Sequence, residues 1–106
     1  MWTVIYANDV AEAEIEELPQ DTRASFLRIV DMIVANGLER MREPYVKHIE
    51  GKIWEMRLKG RDGIARSLYV TATGRRVVVL RSFVKKTEKT PRREIEIALG
   101  RAKEVK

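Results

Sequence analysis

The chain has no cysteine and only one histidine among its 106 residues. Without thiols it can form neither disulfides nor thiolate metal sites, and a single histidine excludes two-histidine zinc sites. Apolar runs such as Val77–Leu80 are far shorter than the ~20 residues that span a bilayer. The N-terminal "MWTVIYANDV" lacks the basic segment and the small-residue cleavage site of a signal peptide. We therefore expect a cytoplasmic protein that needs no metal or other cofactor and does not insert into a membrane.

Charge is abundant and unevenly distributed along the chain. Charged residues make up 35% and hydrophobic residues 44%, which is typical of a folded domain, and the length suits one core, so we expect a single domain over residues 1–106. Residues 1–44 hold four Lys/Arg against nine Asp/Glu, whereas residues 45–106 hold seventeen against seven. A basic surface attracts polyanions, so nucleic acid is the predicted partner, with acidic proteins and membrane surfaces as open alternatives.

Hydrophobic periodicity predicts two helices after a first strand. The run "WTVIYA" (Trp2–Ala7) is rich in β-branched and aromatic residues and predicts a strand. A short helix capped by Asn8 or Asp9 should follow and end before Pro19. A second helix should run from about Asp21 to a C-terminal cap at Gly37. The mixed segment Leu38–Gly51 is expected to be mostly connection.

Three strands and a last helix make up the second half of the predicted fold. "KIWEMRLKG" alternates, with Trp54 and Met56 expected in the core, and "IARSLYVTA" and "RVVVLRSFV" follow after turns at Arg61–Gly63 and Thr73–Arg75. Thr90 is expected to cap a helix that begins in "TPRREIEIAL". The predicted class is α+β in the order β-α-α-β-β-β-α, with an antiparallel sheet, a helical hairpin on one face, a C-terminal helix, and the helices gathered on one side.

Cations are concentrated where the last strand gives way to the last helix, in "RSFVKKTEKTPRREIEIALGR". Arg92 and Arg93 come at the positive end of that helix, which is unfavourable unless an anion binds there. Arg66 and Arg81 lie among core residues, so each needs an ion-pair partner or an external anion. The structural alternative is a salt bridge, with Glu55 as the obvious partner. We predict that five cations from three strands converge on an anion: Arg57, Arg66, Arg81, Lys85 and Lys86.

Other polar and aromatic residues have simpler interpretations. His48 is expected at the surface, and Tyr69 packs in the core or stacks on a base. The acidic residues Glu12, Glu14, Glu16 and Glu17 are expected to form a solvated helix face. Gly-rich phosphate loops and serine nucleophile motifs are absent from the sequence.

The segments "WEMRL", "GIARSLYV" and "VVVLRSFVKKTEKTPRREIEIALGR" resemble the phage-derived HigB-like toxins of the RelE/ParE superfamily. The resemblance covers about Ile53–Lys103, and its most specific part is the pattern F-x-K-K-T-x-K-T-P-x-x-E-I-x-x-A, which begins at Phe83. It implies a RelE-like fold and the toxin of a type II toxin–antitoxin system. The implied activity is a metal-independent mRNA interferase, an endoribonuclease that cleaves mRNA on the ribosome. The implied partner is a helix-turn-helix antitoxin of the HigA type.

The resemblance also implies roles for individual residues. Arg66 and Tyr69 approximate a pattern on the third strand, Arg57 matches a basic residue on the preceding strand, and Lys85 with Lys86 matches the basic residues that follow the last strand. Arg66 and Arg81 would stabilise phosphate charge, Arg57 would support them, and a lysine would bind the RNA backbone or transfer a proton. Further RNA contacts are expected from Lys59, Lys89, Arg92, Arg93 and Tyr69. The general base remains unassigned, because the histidine, aspartate and tyrosine cluster of other HigB toxins is missing.

Two other functional classes remain open. A ParE-like toxin that binds a protein such as gyrase needs no catalytic cluster. A plain nucleic-acid-binding module needs only the basic face.

Overall fold

The computed structural model describes residues 1–61 and 63–105. In chain order the elements are β1 (Thr3–Tyr6), α1 (Asp9–Glu16), α2 (Gln20–Asn36), a short 3-10 helix (Leu38–Arg40), β2 (Val46–Glu50), β3 (Ile53–Lys59), β4 (Ile64–Ala72), β5 (Arg76–Val84) and α3 (Arg92–Ala102). The predicted α+β class is confirmed, and so is each predicted helix and strand. No helix of the described residues is both long and apolar enough to cross a membrane.

The five strands form one sheet in the order β1-β5-β4-β3-β2. Strands β2 to β5 are joined as an antiparallel meander, whereas β1 pairs with β5 in parallel. The pairing of β1 ends where Ala7 N donates to Val79 O (2.9 Å). Beyond that point the outer edge of β5 lies against α1, where Ser82 N donates to Glu14 Oε1 (3.2 Å). Helix α1 therefore covers the part of the β5 edge that β1 leaves open.

Strand β2 lies in the segment that the sequence predicts as connection. Val46 pairs with Met56 and His48 pairs with Trp54, after which the register shifts between His48 and Glu50. This shift is a bulge, and the apolar residues Val46 and Ile49 on either side of His48 lie three positions apart in the sequence. The alternation typical of a strand is therefore lost. The prediction of a connection is wrong for this segment.

The sheet has a hydrophobic core on each face. On one face, Phe26, Ile29 and Ile33 of α2 pack with Met56 and Leu58 of β3. The opposite face holds a second cluster, in which Ala98 of α3 packs with Leu68, Val70, Val78 and Leu80. The expectation that the helices gather on one side is wrong, because the central strands are apolar on both faces and each face needs a cover.

Trp54 is 39% exposed, so its predicted place in the core is wrong, whereas Met56 is fully buried as expected. Trp54 lies opposite His48 of the edge strand β2, and the two rings meet edge to face with centroids 5.2 Å apart.

The caps of α1 and α2 are those that the sequence predicts. Asn8 accepts a hydrogen bond from Ala11 N (2.8 Å) and so caps α1, and Gly37 ends α2 with a φ of 93° that favours glycine. The turn predicted at Arg61–Gly63 contains Asp62, which lies outside the described residues. On either side of it, Gly60 N donates to Gly63 O (2.8 Å).

Candidate functional site

A basic cavity of about 310 Å³ opens on the α3 face of the sheet. Its lining comes from β2, β3, β4, the segment before α3, and α3 itself: Lys47, His48, Ile49, Glu55, Arg57, Arg66, Glu88, Lys89, Thr90 and Ile95. Two of the five predicted catalytic residues, Arg57 and Arg66, line this cavity, as does Lys89 of the predicted RNA-binding set. Arg57 and Arg66 are cross-strand partners on β3 and β4, so their side chains leave the sheet on the same face.

Arg66 is buried and neutralised by the protein. Its guanidinium lies 3.2 Å from Glu55 Oε1, and the two side chains are 4% and 1% exposed. Arg66 also donates to the Thr90 hydroxyl and to Glu88 O (2.9 Å). This is the salt bridge that the sequence offered as the structural alternative. The Arg66 Nε is buried without a hydrogen-bond partner among the described residues.

Thr90 joins both members of this ion pair. Its hydroxyl accepts a hydrogen bond from Arg66 and donates one to Glu55 Oε1 (2.9 Å). Helix α3 begins at Arg92 without a side-chain cap, so the prediction that Thr90 caps it is wrong. A hydroxyl between two buried charges makes stronger hydrogen bonds than one at an exposed helix end.

Arg57 differs from Arg66 in having no carboxylate partner. It is half-buried, and its guanidinium makes no hydrogen bond or ion pair with residues 1–61 or 63–105. It lies between the basic cavity and a second cavity of about 570 Å³, which α2 and β3 line and which also includes Lys59. A half-buried cation without a counter-charge is a suitable ligand for an external anion.

Arg81 belongs to a separate cluster of charges away from the basic cavity. Its guanidinium contacts Glu14 of α1 (2.6 Å) and Glu94 of α3 (2.7 Å). Arg101 of α3 contacts the same Glu14 carboxylate (2.8 Å) and donates to Leu80 O (2.7 Å). The expectation that Glu14 is solvated is wrong, because this carboxylate ties α1, β5 and α3 together. Sequence reasoning missed both Glu14 and Arg101.

The electrostatics of this cluster favour the charged forms. Burial raises the pKa of Glu14, but hydrogen bonds from Arg101, Ser82 N and Arg81 outweigh it, so the pKa lies below its ordinary value. Burial likewise lowers the pKa of Arg81, but Glu94 and Glu14 raise it more, so the net shift is upward. Arg81 is thus a charged residue whose carboxylate partners are already in place.

The segment Lys85–Thr90, which we call the basic loop, connects β5 to α3. Lys85 is half-buried and its N–H donates to Ile64 O (2.7 Å), whereas Lys86 and Lys89 are exposed. Within the described part of the chain, the ammonium groups of these three lysines form no ion pairs. They remain available to an external polyanion.

The other predicted RNA-binding residues lie in different surroundings. Arg92 is exposed but contacts Glu50 (2.6 Å) and Glu96 (3.0 Å), while Arg93 is exposed at the start of α3. Lys59 is exposed at the end of β3. Tyr69 is 1% exposed, and burial raises its pKa far above the ordinary value. Its ring is packed in the core, as the simpler interpretation of the sequence expects.

His48 is exposed at the edge of the sheet, as predicted. Its Nε2 lies 2.7 Å from Gly51 O. Since a carbonyl oxygen only accepts, Nε2 is the donor of this hydrogen bond. The described residues contain no cluster of three or more metal-ligating side chains.

Comparison with known proteins places the chain in a family. The family model described as phage-derived protein Gp49-like (DUF891) matches residues 13–103, which include every element from the second half of α1 to α3. A search of curated proteins finds no match. The matched family consists of RelE/HigB-like toxins and is associated with toxin–antitoxin systems. The chain therefore belongs to the family of phage-derived Gp49-like proteins.

Proposed function

We propose that this protein is the toxin of a type II toxin–antitoxin pair and that it acts as a ribosome-dependent mRNA interferase. Family membership supports the toxin role. The observation that carries the enzymatic part is the half-buried guanidinium of Arg57, which lines the basic cavity without a carboxylate partner among the described residues. Lys47 and Lys89 line the same cavity. Lys85 and Lys86 belong to the same basic loop as Lys89.

The proposed reaction breaks one phosphodiester bond of mRNA. The ribose 2′-oxygen loses its proton and attacks the adjacent phosphorus, and the bond from phosphorus to the 5′-oxygen breaks. The products are a cyclic phosphate and a 5′-hydroxyl, which takes up a proton. Arg57 would donate to the non-bridging oxygens, where negative charge increases in the transition state. The ribosome would hold the mRNA so that the attacking oxygen and the phosphorus are aligned.

In this proposal, the five predicted catalytic cations have different roles. Arg57 contacts the scissile phosphate, since it alone among the three predicted arginines lacks a carboxylate within the described residues. Lys85 and Lys86 hold flanking phosphates. The guanidinium groups of Arg66 and Arg81 are already engaged with Glu55, Glu14 and Glu94. These two arginines therefore contribute indirectly, by holding neighbouring parts of the structure in place.

We further propose that a helix-turn-helix antitoxin of the HigA type binds the helical hairpin of α1 and α2. Leu27 and Val34 of α2 are 57% and 38% exposed and lie seven residues apart, on one side of the helix. Val10 of α1 is 55% exposed. Large exposed apolar side chains on a helix pair suit a protein partner better than RNA.

Expression in cells tests the proposed activity. The wild-type protein should arrest growth and produce new 5′ ends inside translated reading frames, whereas Arg57→Ala should produce neither. Arg40→Ala is a matched control, because Arg40 is exposed in the 3-10 helix and does not line the basic cavity. Growth arrest without new 5′ ends would favour a ParE-like toxin that binds a protein target. No arrest at all would favour a plain nucleic-acid-binding module.

A further inference from the structure

We infer that Arg66 is a positioning residue, which together with Glu55 fixes the basic loop over the basic cavity through the hydroxyl of Thr90. The functional consequence rests on the proposed RNA site, because the loop carries lysines that would contact RNA. The sequence assigns Arg66 to phosphate stabilisation and Thr90 to a helix cap, and the contacts of both residues indicate this different role.

The first support is the small number of anchors that the loop has. Lys86, Thr87, Glu88 and Lys89 are all exposed. Thr87 donates only within the loop, to Lys89 O (2.7 Å). Apart from Lys85 N at its start, the hydrogen bonds that tie the loop to the sheet within the described residues all involve the Arg66–Glu55 pair, through Glu88 O and the Thr90 hydroxyl.

The second support is the rigidity of the anchor itself. Arg66 and Glu55 are almost completely buried on neighbouring strands of the sheet. A buried ion pair is held in one geometry, since moving either charge away from the other leaves it uncompensated in a medium of low polarity. The Thr90 hydroxyl bonds to both charges, so it transmits the fixed geometry of the pair to the end of the loop.

The third support is electrostatic. The loop carries three lysines and one glutamate, and Arg93 follows shortly after it. Like charges in a short segment repel one another and favour extended, mobile conformations. A loop of this composition needs an anchor if its lysines are to be aligned before RNA binds. An aligned loop binds more tightly, because less conformational entropy is lost on association.

The test compares three substitutions that leave every charge in place. Thr90→Val removes the hydroxyl and keeps the shape, and Thr90→Ser restores the hydroxyl. Thr87→Val is the matched control, because it removes a hydroxyl from the same loop that makes no contact with Arg66 or Glu55. The backbone order parameters (S²) of Lys86–Lys89, measured by ¹⁵N relaxation on the free protein, should fall below about 0.6 in Thr90→Val, with wild-type values in Thr90→Ser and unchanged values elsewhere in the fold.

The order parameters are measured without RNA, so they decide the inference separately from the proposed function. Loop order parameters in Thr90→Val equal to those of the wild type would overturn the inference, and so would an equal fall in Thr87→Val. RNA affinity then decides the functional consequence. We expect Thr90→Val to bind a short oligoribonucleotide about tenfold more weakly than the wild type and Thr90→Ser. A wild-type protein that binds no RNA would contradict the proposed function and leave the positioning result intact.

Discussion

Arg57 and Arg66 are direct cross-strand partners on β3 and β4, yet only Arg66 has a carboxylate partner among the described residues. Like charges directly opposite each other destabilise a sheet. Glu55 removes this repulsion for Arg66 but leaves the Arg57 guanidinium exposed to the basic cavity. A cation that repels its neighbour and has no internal counter-charge is best explained by an external anion. A phosphate group has the matching charge and geometry.

The first prediction concerns the trade-off between stability and binding at Arg57. Arg57→Ala should leave the free energy of unfolding unchanged or slightly higher, because it removes repulsion and no ion pair. It should also weaken RNA binding about tenfold or more, because it removes a charged phosphate ligand. Chemical denaturation and a binding titration measure the two quantities on the same protein. A loss of stability with unchanged RNA affinity would make Arg57 a structural residue.

The second prediction concerns the basic loop. Replacing both Lys85 and Lys86 by alanine should reduce the slope of log K against log salt for RNA binding by about two, since each phosphate contact contributes nearly one unit. Lys52→Ala with Lys103→Ala removes the same charge from exposed positions outside the basic cavity and should change the slope much less. Equal slopes for both double variants would show that the loop lysines make no specific phosphate contacts.

The third prediction concerns the Glu14 cluster. Glu14→Gln should reduce the free energy of unfolding by roughly 3 kcal/mol, because it leaves the partly buried charge of Arg101 without a carboxylate and Arg81 with only one. Glu16→Gln, at an exposed position of the same helix, should change it by less than about 0.5 kcal/mol.

The pH dependence of the Glu14→Gln effect follows from the lowered pKa of Glu14. A carboxyl group whose folded pKa lies below its unfolded pKa stabilises the fold fully above the unfolded value, and this contribution is lost as the pH falls through the folded value. The difference in stability between wild type and Glu14→Gln should therefore narrow on acidification from neutral pH. Denaturation curves across this range measure it, and a constant difference would show that the Glu14 charge is not the source of the effect.

The fourth prediction concerns the antitoxin. Hydrogen exchange on the toxin–antitoxin complex should show new protection within residues 10–35, which include the exposed side chains Val10, Leu27 and Val34. Leu27→Glu should weaken the complex without changing RNA affinity, because Leu27 lines neither of the two cavities that contain Arg57. Protection confined to residues 57–89, with residues 10–35 exchanging as in the free toxin, would contradict a hairpin docking site.

Most of the fold could be predicted because its helices and strands follow simple periodicities. The alternation around Met56 is sufficient to predict β3, and the helical spacing of Phe26, Ile29 and Ile33 is sufficient to predict α2. The missed strand β2 contains a bulge, which breaks the alternation between Val46 and Ile49. The side of the sheet on which a helix packs depends on the global topology, and local sequence does not encode it.

The candidate site could be predicted only in part, because ion pairing depends on contacts distant in sequence. Glu14 meets Arg81 across 67 residues and Arg101 across 87, so neither pairing has a local signal. The sequence does contain a local signal for the partial burial of Arg101. It follows buried Ala98 by three residues and Glu94 by seven, which places all three on one face of α3. That spacing indicates that Arg101 faces the sheet.

Cleavage of a defined mRNA on purified translating ribosomes tests the central role of Arg57 most directly. The wild-type protein should cut inside the reading frame and leave a cyclic phosphate and a 5′-hydroxyl. Arg57→Ala should cut at least about a hundredfold more slowly. This is the loss of rate expected when a group that stabilises transition-state charge is removed. Arg40→Ala should cut at the wild-type rate. Equal rates for wild type and Arg57→Ala, or intact mRNA on ribosomes saturated with wild-type protein, would contradict the proposed site.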